Sequence, residues 1–376
     1  MRFLLLFTLA LCTINSFAEI KKTQPSGFML RGTPEMKVRP LRGTRSAFVP
    51  PVNGVDATLV FAEWNDLQPT RFGPIASNNI IDRAISAVSD WNQQHPDNPV
   101  TIRLRTFAGI YAPDWVMQHA GSVPIDYRKK QDAKPLIRRT PKFWTPEYKE
   151  AWLDLQTKLA AKYDKHPLIA DVSISGSMTL HTEVMWRQAS FPHVLKSLRR
   201  AGLSEEQDLH TLKQDITLFM ETWPHTPLEI TFNTQRECSI NENQITRIIL
   251  RPQNSTILLN HLHKEANRLN KRYMIGNHSL SEFSAIHNKK STDPKHIHSA
   301  LKKHRHQFHT PLYFQTEVFS AHLASPLIHE AINMGASLIE LPNDISQQQI
   351  QSLQNLRIAL KNQASSGLPA KPTHLK

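Results

Sequence analysis

The chain has 376 residues, 40% of them hydrophobic, which is enough for one large core or two ordinary ones. Only two cysteines occur, too few for a disulfide framework, and past the first residues no stretch has the roughly 20 apolar residues a membrane-spanning helix needs. The net charge of +13 favours contact with anionic polymers and otherwise serves solubility; the chain carries no recognised nucleic-acid-binding module.

Arg2 precedes an apolar run, Phe3 to Cys12, and Ser16-Phe17-Ala18 offers a small-x-small cleavage site. Residues 1–18 therefore read as a secretory signal peptide, which implies a secreted or periplasmic protein. Losing it leaves Cys238 alone, a small residue expected to be buried, so stability must come from packing. Residues 19–53 are rich in Pro, Gly, Arg and Lys without a sustained period and read as an irregular lead-in. Residues 54–365 follow as one ordered unit, and 366–376 as a tail.

Within that unit, "ATLVFAEW" (57–64) has strand character, and 76–94 places apolar residues at helical spacing behind a Ser/Asn start. "VTIRLRTF" (100–107) is a strand, and 145–166 a helix with Thr at its cap and Pro at its first position. Strands at 169–175, 228–234, 272–278, 311–317 and 337–342 then alternate with helices at 208–223, 255–270, 296–308, 326–336 and 346–363. Seven strands each followed by a helix predict an α/β fold with a parallel sheet and helices outside it. With 12 glycines and no G-x-G-x-x-G, an open nucleotide-binding sheet loses ground to a closed (β/α)8 TIM barrel. The barrel needs one more strand, either in the lead-in or in the stretch 119–140.

In such a barrel the carboxyl ends of the strands face the active-site mouth. Polar and aromatic residues there are Glu63, Trp64 and Asn65; Arg105, Phe107, Tyr111 and Trp115; Glu183; Asn233; Asn277 and His278; Gln315 and Glu317; and Glu340. Trp64 and Trp115 are expected to line the cleft, while Trp144 and Trp152 read as packing. Arg103 and Arg105 share a face and, inside a barrel, need carboxylate partners such as Glu63 or Glu317. Glu183 and Glu317 each lie just past an apolar strand, and their strands sit three apart in an eight-strand ring. Two carboxylates facing each other across a cleft are what glycosidic cleavage requires: one protonated to give its proton to the leaving oxygen, one ionised to attack or stabilise the anomeric carbon. Six histidines crowd the basic window 287–309, but their i,i+2 spacing puts paired imidazoles on different helix faces and no carboxylate completes a ligand set, which favours a solvated helix over a metal site.

The segments "FAEWNDLQP", "RLRTFAGIYAPDWV" and "WTPEYKEAWLDLQTKLAAKYDKHPLIADVSISGSM" resemble the retaining (β/α)8 glycoside hydrolases, the clan that includes β-galactosidases and cellulases. The resemblance implies Glu183 after strand four as general acid/base and Glu317 ending strand seven as nucleophile. It also implies "ATLVFAEW" as strand two and a strand one within 28–55. The implied substrate is an oligo- or polysaccharide, cleaved with no metal or organic cofactor. Glu63, Trp64, Arg105, Trp115, Asn233, Asn277, His278 and Gln315 are the expected substrate contacts. Where the clan carries Asn before the acid/base this chain has Thr182, and "LIELPN" lacks the Trp usual at strand eight. The alternative reading is a catalytically inactive barrel that binds glycans, or an envelope or host partner, through the cleft and its basic rim.

Overall fold

The computed structural model describes residues 22–31, 47–126, 137–184, 192–233, 235–241, 244–280, 294–316 and 321–366. Eight parallel strands close into a barrel: β1 Gly27–Leu30, β2 Ala57–Glu63, β3 Thr101–Phe107, β4 Ile169–Ser173, β5 Leu228–Thr231, β6 Tyr273–Leu280, β7 Leu312–Thr316 and β8 Ala336–Glu340. Each strand pairs with the next, and β8 returns to β1 with Phe28 opposite Ile339, so the ring has no open edge.

Strand one lies inside the segment read as lead-in. It has four residues and begins at Gly27, whose φ of +96° needs glycine and whose Cβ would stand 2.1 Å from the Asp56 carboxylate. That carboxylate accepts the Phe28 N–H at 3.0 Å and is held by Arg357 at 2.7 Å and Lys361 at 2.9 Å, which ties β1 and the approach to β2 to the last helix. The stretch 119–140 instead contributes an antiparallel hairpin outside the barrel, Ser122–Asp126 with Ile137–Pro141. A second hairpin, Gln235–Asn241 with Gln244–Arg251, follows β5 and includes Cys238.

The helices that cover the barrel are α1 Ile80–Gln94, α2 Pro146–Tyr163, α3 Glu205–Thr222, α4 Pro252–Arg268, α5 Pro294–Phe308, α6 Ala324–Met334 and α7 Gln354–Ser366. Their starts follow from local chemistry. Asn79 accepts the Ile81 and Asp82 N–H groups at the head of α1, Thr145 caps α2 ahead of Pro146, and Ser204 with Gln207 forms a capping box on α3. The helix expected over 346–363 is divided, because Gln347–Ser352, with its own Ser346–Gln349 capping box, ends at Leu353 before α7 begins. Among the described residues no helix is long and apolar enough to cross a membrane.

Trp64, Trp152 and Tyr148 are fully buried between strands and α2, with Trp64 and Trp152 centroids 5.0 Å apart and edge-on. Inside the barrel, Met29, Ala57, Leu59, Met274, Tyr313 and Leu338 form a small separate apolar cluster. Above this floor the lumen turns polar.

Candidate active site in the barrel mouth

Strand alternation decides which side chains enter the lumen. In β3, "TIRLRTF" turns Arg103 and Arg105 inward; β4 adds Asp171 and Ser173, β5 Glu229 and Thr231, β6 His278, β7 Tyr313 and β8 Glu340. These side chains are almost entirely out of water, so every charge needs a partner. Arg103 grips Asp171 with two hydrogen bonds, 2.8 Å from Nε and 2.6 Å from Nη2, and its guanidinium lies 4.4 Å from the Tyr313 ring centre. Arg105 donates to Glu340 at 2.7 Å and to Ser173 Oγ at 3.3 Å, and stands 3.7 Å from Glu229. Among the described residues the partners are thus Asp171, Glu340 and Glu229 rather than the expected Glu63, while Glu317 lies outside those residues.

Glu229 also accepts the hydroxyls of Ser173, Thr231 and Tyr313. Burial pushes its carboxyl up, but the two arginines, His278 and the Ser173 hydrogen bond prevail and lower its pKa to about 2. Glu340 is likewise held below the ordinary range, burial being outweighed by Arg105, His278 and Arg103. Burial, with Glu229 beside it, pushes the Tyr313 phenol well up, so it stays a proton donor. The ring has room to cross the lumen because residue 276 is glycine: a Cβ there would lie 2.1 Å from Tyr313 Cε1.

Above this network His278 joins lumen and mouth. Its Nε2 is 3.0 Å from Thr231 Oγ1 and 3.1 Å from the Tyr313 hydroxyl, and its Nδ1 is 3.1 Å from Glu183 Oε1. Glu183 sits in the loop after β4, positioned by its neighbour: the Val184 N–H donates to Thr231 O at 2.8 Å, and Val184 O accepts from Asn233 N at 3.2 Å. The Glu183 side chain is 14% exposed, against 0% for Glu340, so it is a mouth carboxylate in reach of solvent. Burial raises its pKa, yet the charge and hydrogen bond of His278, with His181 behind them, hold it well below the ordinary carboxylate range.

The remaining expected site residues divide. Glu63, Asn65, Tyr111, Asp114 and Arg138 line a cleft of about 260 Å³ beside β2 and β3. Gln315 is partly exposed and level with Glu340 in the β7–β8 register. Glu317 lies outside the described residues. Three expectations are corrected. Trp64 is fully buried in the aromatic cluster, because a short helix, Trp64–Leu67, turns it away from the mouth. Trp115 packs edge-on against Trp64 at 5.9 Å and donates to Gln68 O at 3.1 Å, so this partly buried ring is part of that cluster. Asn277 spends its side chain on structure, donating to Phe232 O at 2.8 Å and to Asn233 Oδ1 at 3.1 Å and accepting from Ser279 N at 2.8 Å. The basic window differs too: within α5, His298 lies 3.1 Å from Asn277 Oδ1 and His304 2.9 Å from the Tyr273 hydroxyl, both buried.

Asp171, Glu229 and Tyr313 do not emerge from strand-end position because they stand below the strand ends. The available signal was an acidic residue at an alternate position of an otherwise apolar strand, as in "IADVS" and "LEIT".

No family model and no curated protein matches the chain. Solved structures resemble it in overall shape. They include a β-galactosidase from the psychrophilic Marinomonas ef1, at 12% identity and TM-score 0.48, covering 90% of this chain and 60% of that one. Endo-glycoceramidase II from Rhodococcus sp. gives 10% and 0.45, over 89% and 80%. A family 1 β-glucosidase from Thermotoga maritima gives 11% and 0.44, over 82% and 84%. The chain thus spans 60% of the length of the Marinomonas enzyme, and likeness at this level leaves the chemistry to be read from the mouth itself.

Proposed function

We propose that this protein is an exported glycoside hydrolase that cleaves O-glycosidic bonds with retention, Glu183 serving as general acid/base and Glu317 as nucleophile. The observation that carries the reading is the Glu183–His278 contact of 3.1 Å at the barrel mouth: a carboxylate within reach of solvent, bonded to a group that can hold its proton. With His278 protonated the pair stores one proton. In the first step the Glu317 carboxylate attacks the anomeric carbon and the C–O bond breaks. The leaving oxygen takes the proton through Glu183, which His278 refills. In the second step Glu183 removes a proton from water, the water oxygen bonds to the anomeric carbon, and Glu317 departs. The reaction uses no metal or organic cofactor. The signal peptide read at residues 1–18 would deliver the enzyme outside the cytoplasm.

The test is release of nitrophenol from a panel of aryl glycosides. Glu317→Gln is expected to abolish turnover, and Glu183→Gln to slow substrates with poor leaving groups far more than dinitrophenyl glycosides, whose departure needs little acid assistance. Turnover unchanged in both variants overturns the reading.

A second reading is a barrel that binds glycans without turnover. It draws support from Asp171, Glu229 and Glu340 all being engaged by arginines, together with Thr182 and the strand-eight segment "LIELPN". Saturable sugar binding with no product on any glycoside would select it.

A further inference from the structure

Arg31 follows the last residue of β1 and stands among the charges of the mouth. It is 5% exposed. Its Nε donates to Asn343 Oδ1 at 3.0 Å, while among the described residues Nη1 and Nη2 have no hydrogen-bond partner and the guanidinium forms no ion pair. Arg103 and Arg105, by contrast, each hold a carboxylate. A buried guanidinium with two idle NH2 groups is costly to keep unless something supplies the missing acceptors.

The chemistry of that missing partner is constrained. With Nε already engaged, the free edge of the guanidinium presents two side-by-side N–H donors, which match the two oxygens of a planar carboxylate. The charges that reach Arg31 are Glu340, Arg105, Asp344 and Glu183. None of the three carboxylates is placed to close the fork, so an incoming anion meets unsatisfied donors there. The net charge of +13 adds a long-range field that gathers polyanions toward the molecule. We propose that the mouth takes an acidic sugar, a uronic acid residue of a polyanionic glycan, whose carboxylate closes on Nη1 and Nη2 of Arg31. As a statement about substrate this rests on the hydrolase reading above; as a statement about binding it does not. At 5% exposure the guanidinium is reached through local rearrangement of the mouth.

Calorimetric titration of the full chain with glucuronate, galacturonate and mannuronate, each against its neutral parent sugar, tests the proposal, with glucose 6-sulfate as a further arm. At least one uronate is expected to bind about tenfold or more tighter than its parent, as a charged bidentate contact allows. Arg31→Gln should erase that preference, and Arg31→Lys should keep part of it. The proposal is overturned if no uronate outbinds its parent, if the preference survives in Arg31→Gln, or if the sulfate binds better than every uronate. Should Arg31→Gln fail to fold, the wild-type comparison and Arg31→Lys decide. The two readings separate cleanly. A uronate preference without hydrolysis of any nitrophenyl uronide removes the hydrolase reading and keeps the acidic-sugar site. Turnover of neutral glycosides with no uronate preference does the reverse.

Discussion

Glu183 and His278 come from different strands of the ring, β4's loop and β6, and meet with Oε1 3.1 Å from Nδ1. Burial raises the Glu183 pKa and the His278 contact overturns that effect, so the glutamate is ionised at rest. Removing the imidazole therefore has a definite sign. In His278→Gln the largest cause opposing burial is gone, and the Glu183 pKa rises. The pH dependence of kcat/KM on aryl glycosides should show the limb assigned to Glu183 moving to higher pH, with kcat falling on the order of 10²-fold as proton supply is lost. An unchanged profile would separate His278 from the proton transfer.

Arg103 and Asp171 are both fully buried and joined by two hydrogen bonds, so removing one partner strands the other. Arg103→Met should destabilise the protein by about 3–5 kcal/mol in urea unfolding. The double variant Arg103→Met with Asp171→Leu should recover part of the loss, since no lone charge then remains on that pair. A double variant as unstable as the sum of the singles would show that the two residues are not coupled and that a stranded charge is not the source of the cost.

Much of the ring was legible in the sequence because its strands are short apolar runs between capped helices; their alternation points to a parallel sheet, and the lack of a glycine-rich nucleotide-binding turn tips it toward closure. Strand one escaped because four residues beginning with Gly27 carry no period, and what fixes them is Asp56, Arg357 and Lys361, far along the chain. The lumen network escaped for a similar reason. Arg105 and Glu340 lie 235 residues apart, and only closure of the ring makes them neighbours. Trp64 stands directly after a strand end, a position that in a barrel faces the mouth, but a single helical turn sends it into the core.

Gly276 offers a test of how lumen packing governs the mouth. A Cβ at this position collides with the Tyr313 ring, whose hydroxyl reaches both Glu229 and His278. Gly276→Ala must push the ring aside, at a cost of about 1–3 kcal/mol for overpacking. Activity should fall with it, and Tyr313→Phe, which removes the hydroxyl and keeps the ring, separates the two effects. Wild-type stability in Gly276→Ala would contradict this close approach.

His304 predicts how stability depends on pH. It lies buried beside Tyr273, with its ring 5.9 Å from His263 and 4.7 Å from Phe308, at the seam where α5 meets α4 and β6. Burial, with the His263 charge adding to it, lowers its pKa to about 4 from an ordinary 6.5. The folded protein thus resists protonation there while the unfolded chain does not. The stabilisation is complete above about pH 6.5 and is lost as the pH falls toward about 4, amounting to about 2–3 kcal/mol. His263, whose own pKa burial lowers, acts in the same direction. Urea unfolding at pH 7 and pH 4.5 should show this loss in the wild type and a smaller one in His304→Asn. An equal loss in both would place the acid sensitivity elsewhere, with the carboxylates of the lumen the next to examine.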